Sequence, residues 1–128
     1  MPFDLQAARA LIGVPFRLHG RDPSTGLDCV GVVALAHGRV DLAPNGYALR
    51  NGRGAEWIAM LDCIGHRAKG PEMAAGDILL MRPGPARYHL GIWTGDGLLH
   101  AHAGLRRVVE TPGPPAPRVI GRWALPEA

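Results

Sequence analysis

Apolar positions change their spacing once along this chain, near residue 76. Before that point they recur with a helical period; after it they come as short runs separated by turn residues. Asp4 is placed to cap a first helix carrying Leu5, Ala8, Leu11 and Ile12 on one face, and Gly13-Val14-Pro15 ends it. Residues 20–26, Gly-Arg-Asp-Pro-Ser-Thr-Gly, are turn chemistry throughout, with His19 before them in a solvated loop. The run 30–37 is almost wholly apolar and stops at Gly38, so it predicts a buried helix closed by a left-handed glycine. Residues 41–54 show no periodicity and are rich in Gly, Asn and Pro, which predicts a loop. Residues 55–63 predict a short helix with Trp57, Ile58, Leu61 and Ile64 facing inward and Cys63 in the core.

The second half predicts strands. They cover 77–81, 88–94, 98–103, 106–110 and 119–125, with 82–85 breaking the first and a Pro-rich connection at 111–117. Gly95-Asp96-Gly97 is a hairpin signal. Helices first and strands second give an α+β fold with an antiparallel sheet.

Composition narrows the class. A chain of 128 residues is one ordinary domain, read here as a single unit over 1–128. Hydrophobic content of 47% against 20% charged excludes a disordered chain. Two cysteines are too few for a disulfide scaffold. The net charge of +3 suits an anionic partner such as cell wall, but no Lys/Arg cluster with interleaved aromatics points to nucleic acid. No run is long and apolar enough to span a membrane. The N-terminal residues have neither a basic segment nor an apolar one, so the expectation is synthesis in the cytoplasm without a signal peptide.

The candidate chemistry starts at Gly26-Leu27-Asp28-Cys29-Val30-Gly31. Cys29 falls in the first turn of the buried helix, where free N–H groups point at its sulfur and favour a thiolate. A free thiol titrates near ~8.5, and lowering that to about 6 needs roughly 3 kcal/mol. A helix terminus supplies about 0.3–1 kcal/mol, so a cationic partner such as histidine must supply the rest. A small buried hydrophobe is the competing reading of this cysteine. An activated Cys29 is expected to alkylate much faster than Cys63.

Three of six histidines lie in the hairpin: His89, His100 and His102. A two-residue turn at Gly95-Asp96 or at Asp96-Gly97 puts all three on one face, because side chains alternate along a strand. The first choice sets His102 opposite His89; the second shifts each pairing by two. Three readings compete: a nucleophile–base pair with an orienting histidine, a zinc site with Cys29, and satisfied polar residues of a half-exposed sheet. The C-x-x-C and H-E-x-x-H spacings of zinc sites are absent.

In order along the chain, five pieces are similar to motifs of the NlpC/P60 peptidases, papain-like cysteine enzymes of bacterial cell-wall turnover. Leu11-Ile12-Gly13-Val14-Pro15-Phe16-Arg17 resembles the family's "hGxPYRxGG" segment, and Gly26 to Gly31 its D-C-S-G nucleophile motif. Ala75-Gly76-Asp77-Ile78-Leu79-Leu80 resembles "PGDhhhF", His89-Leu90-Gly91-Ile92-Trp93 resembles "HVGIY", and Leu98-Leu99-His100-Ala101 resembles "FIHA". Together they frame residues 8–105. The resemblance implies a papain-like fold in which Cys29 is the nucleophile, His89 the general base and His100 the polar third member, with His102 the fallback. It implies that Asp28 helps hold substrate and that neither metal nor cofactor is required. Val30 stands where the family has Ser, and Phe16 where it has Tyr.

The substrate so implied is a peptidoglycan stem peptide, cut between D-glutamate, through its side-chain carboxylate, and a diamino acid. Short members without a signal peptide resemble those of phage tails and gene transfer agents, so tail-like structural proteins are expected partners. The rivals are another amidase or acyl transfer on the same scaffold, and a tail or wall-binding protein with a vestigial site.

Overall fold

A computed structural model describes residues 3–38, 54–70, 72–85, 87–114 and 119–125. The loop expected at 41–54 falls, apart from Gly54, outside them. Among the described residues three helices, α1 (Leu5–Arg9), α2 (Cys29–Ala36) and α3 (Gly54–Ile64), accompany eight strands. These are β1 (Arg21–Asp22), β2 (Gly26–Leu27), β3 (His66–Arg67), β4 (Ile78–Gly84), β5 (Arg87–Trp93), β6 (Gly97–His102), β7 (Arg107–Pro112) and β8 (Val119–Ala124). β1 and β2 form a small hairpin, and the other six make an antiparallel sheet in the order β3-β8-β4-β5-β6-β7. The architecture is α+β, as the change of period predicts.

Local chemistry explains the helix ends. Asp4 caps α1 by accepting from the Ala7 N–H at 3.1 Å. Asp28 caps α2 by accepting from the Gly31 N–H at 2.9 Å, and Gly38, with φ +65°, ends that helix. Seven of the eight α2 residues are buried, because α2 packs between α1 and the strands β5 and β6. Alternation along β4 divides the sheet's two faces. Ile78 and Leu80 join Leu90, Ile92, Leu99 and the helices in the main core, whereas Leu79 and Met81 meet Leu98 in a smaller cluster.

Several expectations are corrected. Ile12 is 46% exposed, because α1 ends at Arg9, before the helical phase would bring residue 12 round to the core. The 20–26 stretch is not turn throughout: it holds β1 and the first residue of β2, which pair as a hairpin from Arg21 to Leu27. β4 runs through Pro83 to Gly84 instead of breaking at Arg82; its register shifts between Met81 and Gly84, and such an irregularity accommodates a proline with no N–H to give. β7 extends through Thr111 and Pro112. Cys63 is exposed: Trp57 and Leu61, four residues apart, set the buried face of α3, and Cys63 lies two positions off it.

Candidate active site

The site is built where α2 begins and where β5 and β6 carry histidine. Thr94 and Gly97 close the hairpin through a Thr94 N–H to Gly97 carbonyl bond of 2.9 Å, with Gly95 at φ +101°. This is the Gly95-Asp96 turn, and it pairs Trp93 with Leu98 and Ile92 with Leu99. The register brings the three histidines together as the first of the two turn choices requires. His89 Nε2 lies 2.7 Å from His100 Nδ1, with the rings edge to face and centroids 5.0 Å apart. His102 is the outer ring, 5.5 Å from His100, and its Nδ1 accepts the Leu105 N–H at 3.0 Å. His100, and not the fallback His102, is the histidine bonded to His89. Thr111 on β7 completes the row: its Oγ1 is 3.0 Å from His100 Nε2. Thr111 carries no motif, and only the β6–β7 register exposes its place.

Cys29 enters from the helix. Its sulfur meets the backbone N–H groups of Leu90, Val30 and Cys29 itself. Leu90, whose N–H meets the sulfur, follows His89 on β5. The N–H groups favour a thiolate, as a helix start should. They are outweighed. Cys29 is 0% exposed, and its burial, with the neighbouring Asp28 carboxylate, pushes the thiol up to about 12. This corrects the expectation of a thiol titrating below ~8.5. Burial likewise depresses His89 to about 3, helped by the neighbouring His100 and His102 rings, and His100 to about 4. Burial thus favours the neutral form of both the thiol and the imidazole.

Asp28, expected to help hold substrate, has its carboxylate engaged within the protein. It is 0% exposed, and its carboxylate accepts from the Gly31 N–H, from the His19 N–H at 2.8 Å and from Arg21 Nη1 at 3.1 Å. It braces the start of α2. His19 is half-buried in a left-handed conformation, φ 60°, which turns its amide onto Asp28 and corrects its assignment as a solvated loop residue. Gly31 explains the glycine of the motif: a Cβ there would lie 2.2 Å from the Gly20 carbonyl oxygen. Val30 points into the main core at 4% exposure, and Phe16 packs against that core, so both substitutions are packing changes. Among the described residues no group of three His, Cys, Asp or Glu side chains is arranged to hold a metal ion. None of their helices is long and apolar enough to cross a membrane.

The sequence profile of the NlpC/P60 family matches residues 13–113, which contain α2, the hairpin and the histidine row. The chain belongs to the NlpC/P60 family. It is therefore an enzyme of the papain-like cysteine-peptidase type, in a family whose activity is hydrolysis of peptidoglycan. Solved structures share the fold. The NlpC/p60 domain of the peptidoglycan hydrolase SagA is 24% identical, with a TM-score of 0.58 over 85% of this chain and 89% of that one. NlpC1 from Trichomonas vaginalis is 21% identical, with a TM-score of 0.67 over 94% of this chain and 43% of that one. The peptidoglycan hydrolase RipB from Mycobacterium tuberculosis is also 21% identical, with a TM-score of 0.67 over 98% of this chain and 64% of that one. The chain thus spans less than two thirds of the last two proteins. Comparison with curated protein sequences yields no match.

Proposed function

We propose that this chain is a cysteine endopeptidase that cuts the D-γ-glutamyl–diamino acid bond of peptidoglycan stem peptides, with Cys29 as nucleophile. The observation that carries the reading is the His89–His100 pair, 2.7 Å apart, on the strand whose Leu90 amide abuts the Cys29 sulfur. With both groups neutral, attack is coupled to proton transfer. His89 takes the thiol proton as sulfur bonds to the carbonyl carbon, then gives it to the leaving amine as the C–N bond breaks. Water, deprotonated by His89, attacks the thioester, and the thiol leaves with that proton. Backbone N–H groups at the start of α2, that of Cys29 among them, hold the oxyanion. His100 orients the base, and Asp28 with Arg21 and the His19 amide keeps the helix start in place. The walls around the enclosed sulfur have to part for a carbonyl to come within about 3–3.5 Å of it.

The setting we propose is a phage-tail or gene-transfer-agent particle, with the chain made in the cytoplasm and carried by tail-like structural proteins. That placement rests on sequence resemblance. The test is mass spectrometry of defined muropeptides incubated with the protein and with Cys29→Ala. Cleavage of the γ-glutamyl bond by the first and none by the second is expected. Equal turnover by the variant overturns the assignment of the nucleophile, and intact muropeptides with the unaltered protein point to an amidase of other specificity or a binding protein.

A further inference from the structure

We infer that Thr111 is a positioning residue that sets the tautomer of His100 and, through it, of His89. This rests on the reading of His89 as the base. Three side chains form one chain of contacts: Thr111 Oγ1 to His100 Nε2 at 3.0 Å, then His100 Nδ1 to His89 Nε2 at 2.7 Å. The β6–β7 register accounts for it. His100 pairs with Val109, so Thr111, two residues along, projects from the same face as their diagonal neighbour.

A neutral imidazole carries one ring proton, so the tautomers along this chain are locked together. In one arrangement His100 carries its proton on Nε2 and donates it to the Thr111 oxygen. Its Nδ1 then accepts from His89 Nε2–H, and His89 Nδ1 presents a bare lone pair. In the other, the hydroxyl donates to His100 Nε2, His100 donates from Nδ1, and His89 carries its proton on Nδ1. Only the first lets His89 Nδ1 receive the thiol proton. Two features favour it. A hydroxyl offers two acceptor lone pairs against one proton, and Thr111 is exposed, so water takes that proton. His102 Nδ1 accepts the Leu105 N–H, which puts the ring proton of a neutral His102 on Nε2.

The test combines 15N NMR of the imidazole nitrogens with kinetics on muropeptides. In the unaltered protein and in Thr111→Ser, His100 and His89 should both be protonated at Nε2. In Thr111→Val, which keeps the β-branched shape, the two tautomers should mix, with kcat down about tenfold and KM unchanged. Thr111→Ser should return kcat to within about twofold. Identical tautomers in Thr111→Val and the unaltered protein, or a serine variant as impaired as the valine one, would overturn the inference. A tautomer shift in a protein that cleaves no muropeptide sinks the peptidase reading and leaves the inference standing.

Discussion

Replacing Gly31 by alanine sets two opposed effects against each other, and the geometry decides between them. Alanine at an interior helix position is favoured over glycine by about 1 kcal/mol. At Gly31, however, the added methyl would lie 2.2 Å from the Gly20 carbonyl oxygen, where real contacts essentially never fall below 3.0 Å. The obstacle is backbone, so no side chain can rotate away. Gly20 has no room to retreat either, since its own Cβ position lies 2.1 Å from the Gly26 carbonyl oxygen. The 17–20 turn must move by on the order of 1 Å, a strain of about 1–3 kcal/mol. That turn delivers the His19 N–H to the Asp28 carboxylate, and losing this bond costs a further ~1.5–3 kcal/mol. The net expectation for Gly31→Ala is a loss of about 2–4 kcal/mol, seen as a lower urea midpoint at unchanged slope and a Tm lower by roughly 10 °C. A variant as stable as the parent, or more so, would show that helix propensity dominates and that the crossing of the loop over α2 is loose.

The histidine pair predicts acid sensitivity. His89 and His100 titrate near 3 and 4 in the folded protein, below the ordinary value of about 6.5. Between roughly pH 6.5 and 4 the unfolded chain therefore binds protons that the folded chain does not, and stability falls as pH falls. Urea titrations from pH 7 to 4 should show a loss approaching roughly 2–3 kcal/mol per pH unit once below about pH 6, about half of which His89→Gln removes; an unchanged slope in the variant contradicts the assignment. The thiols should label in the order of their exposure. With iodoacetamide at neutral pH, peptide mapping should find Cys63 modified first and Cys29 lagging. Rapid alkylation of Cys29 with a midpoint below ~8.5 would mean that the sulfur is open and ionised.

What could be read from the chain was what depends on neighbours in sequence. The cap at Asp28, the stop at Gly38 and the turn at Gly95-Asp96 are short-range chemistry, and the turn alone puts His89, His100 and His102 on one side. Charge state was not legible. The N–H groups at the helix start are present, and the Asp28 carboxylate beside Cys29 is plain in the sequence, but enclosure by the core emerges only when distant segments pack. The substrate contact expected of Asp28 is what the family resemblance implies, and nothing in the sequence shows that the amide of His19 and the guanidinium of Arg21 fold back on it. Thr111 was hidden for the same reason: an unremarkable threonine gains meaning only from the strand beside it. Cys63 is a different case, since the helical phase set by Trp57 and Leu61 was already available and points it outward.

The order of strands has a consequence for how the molecule is made. β8, the last in chain order of the described strands, lies between β3 and β4 and supplies the fully enclosed Trp123. Until it arrives, β4 has only one partner, and its apolar run from Ile78 to Met81 presents a bare edge to any other nascent chain. The sheet therefore cannot be completed progressively from its first residues: β3 and β4 are joined only when residues 119–124 have been made.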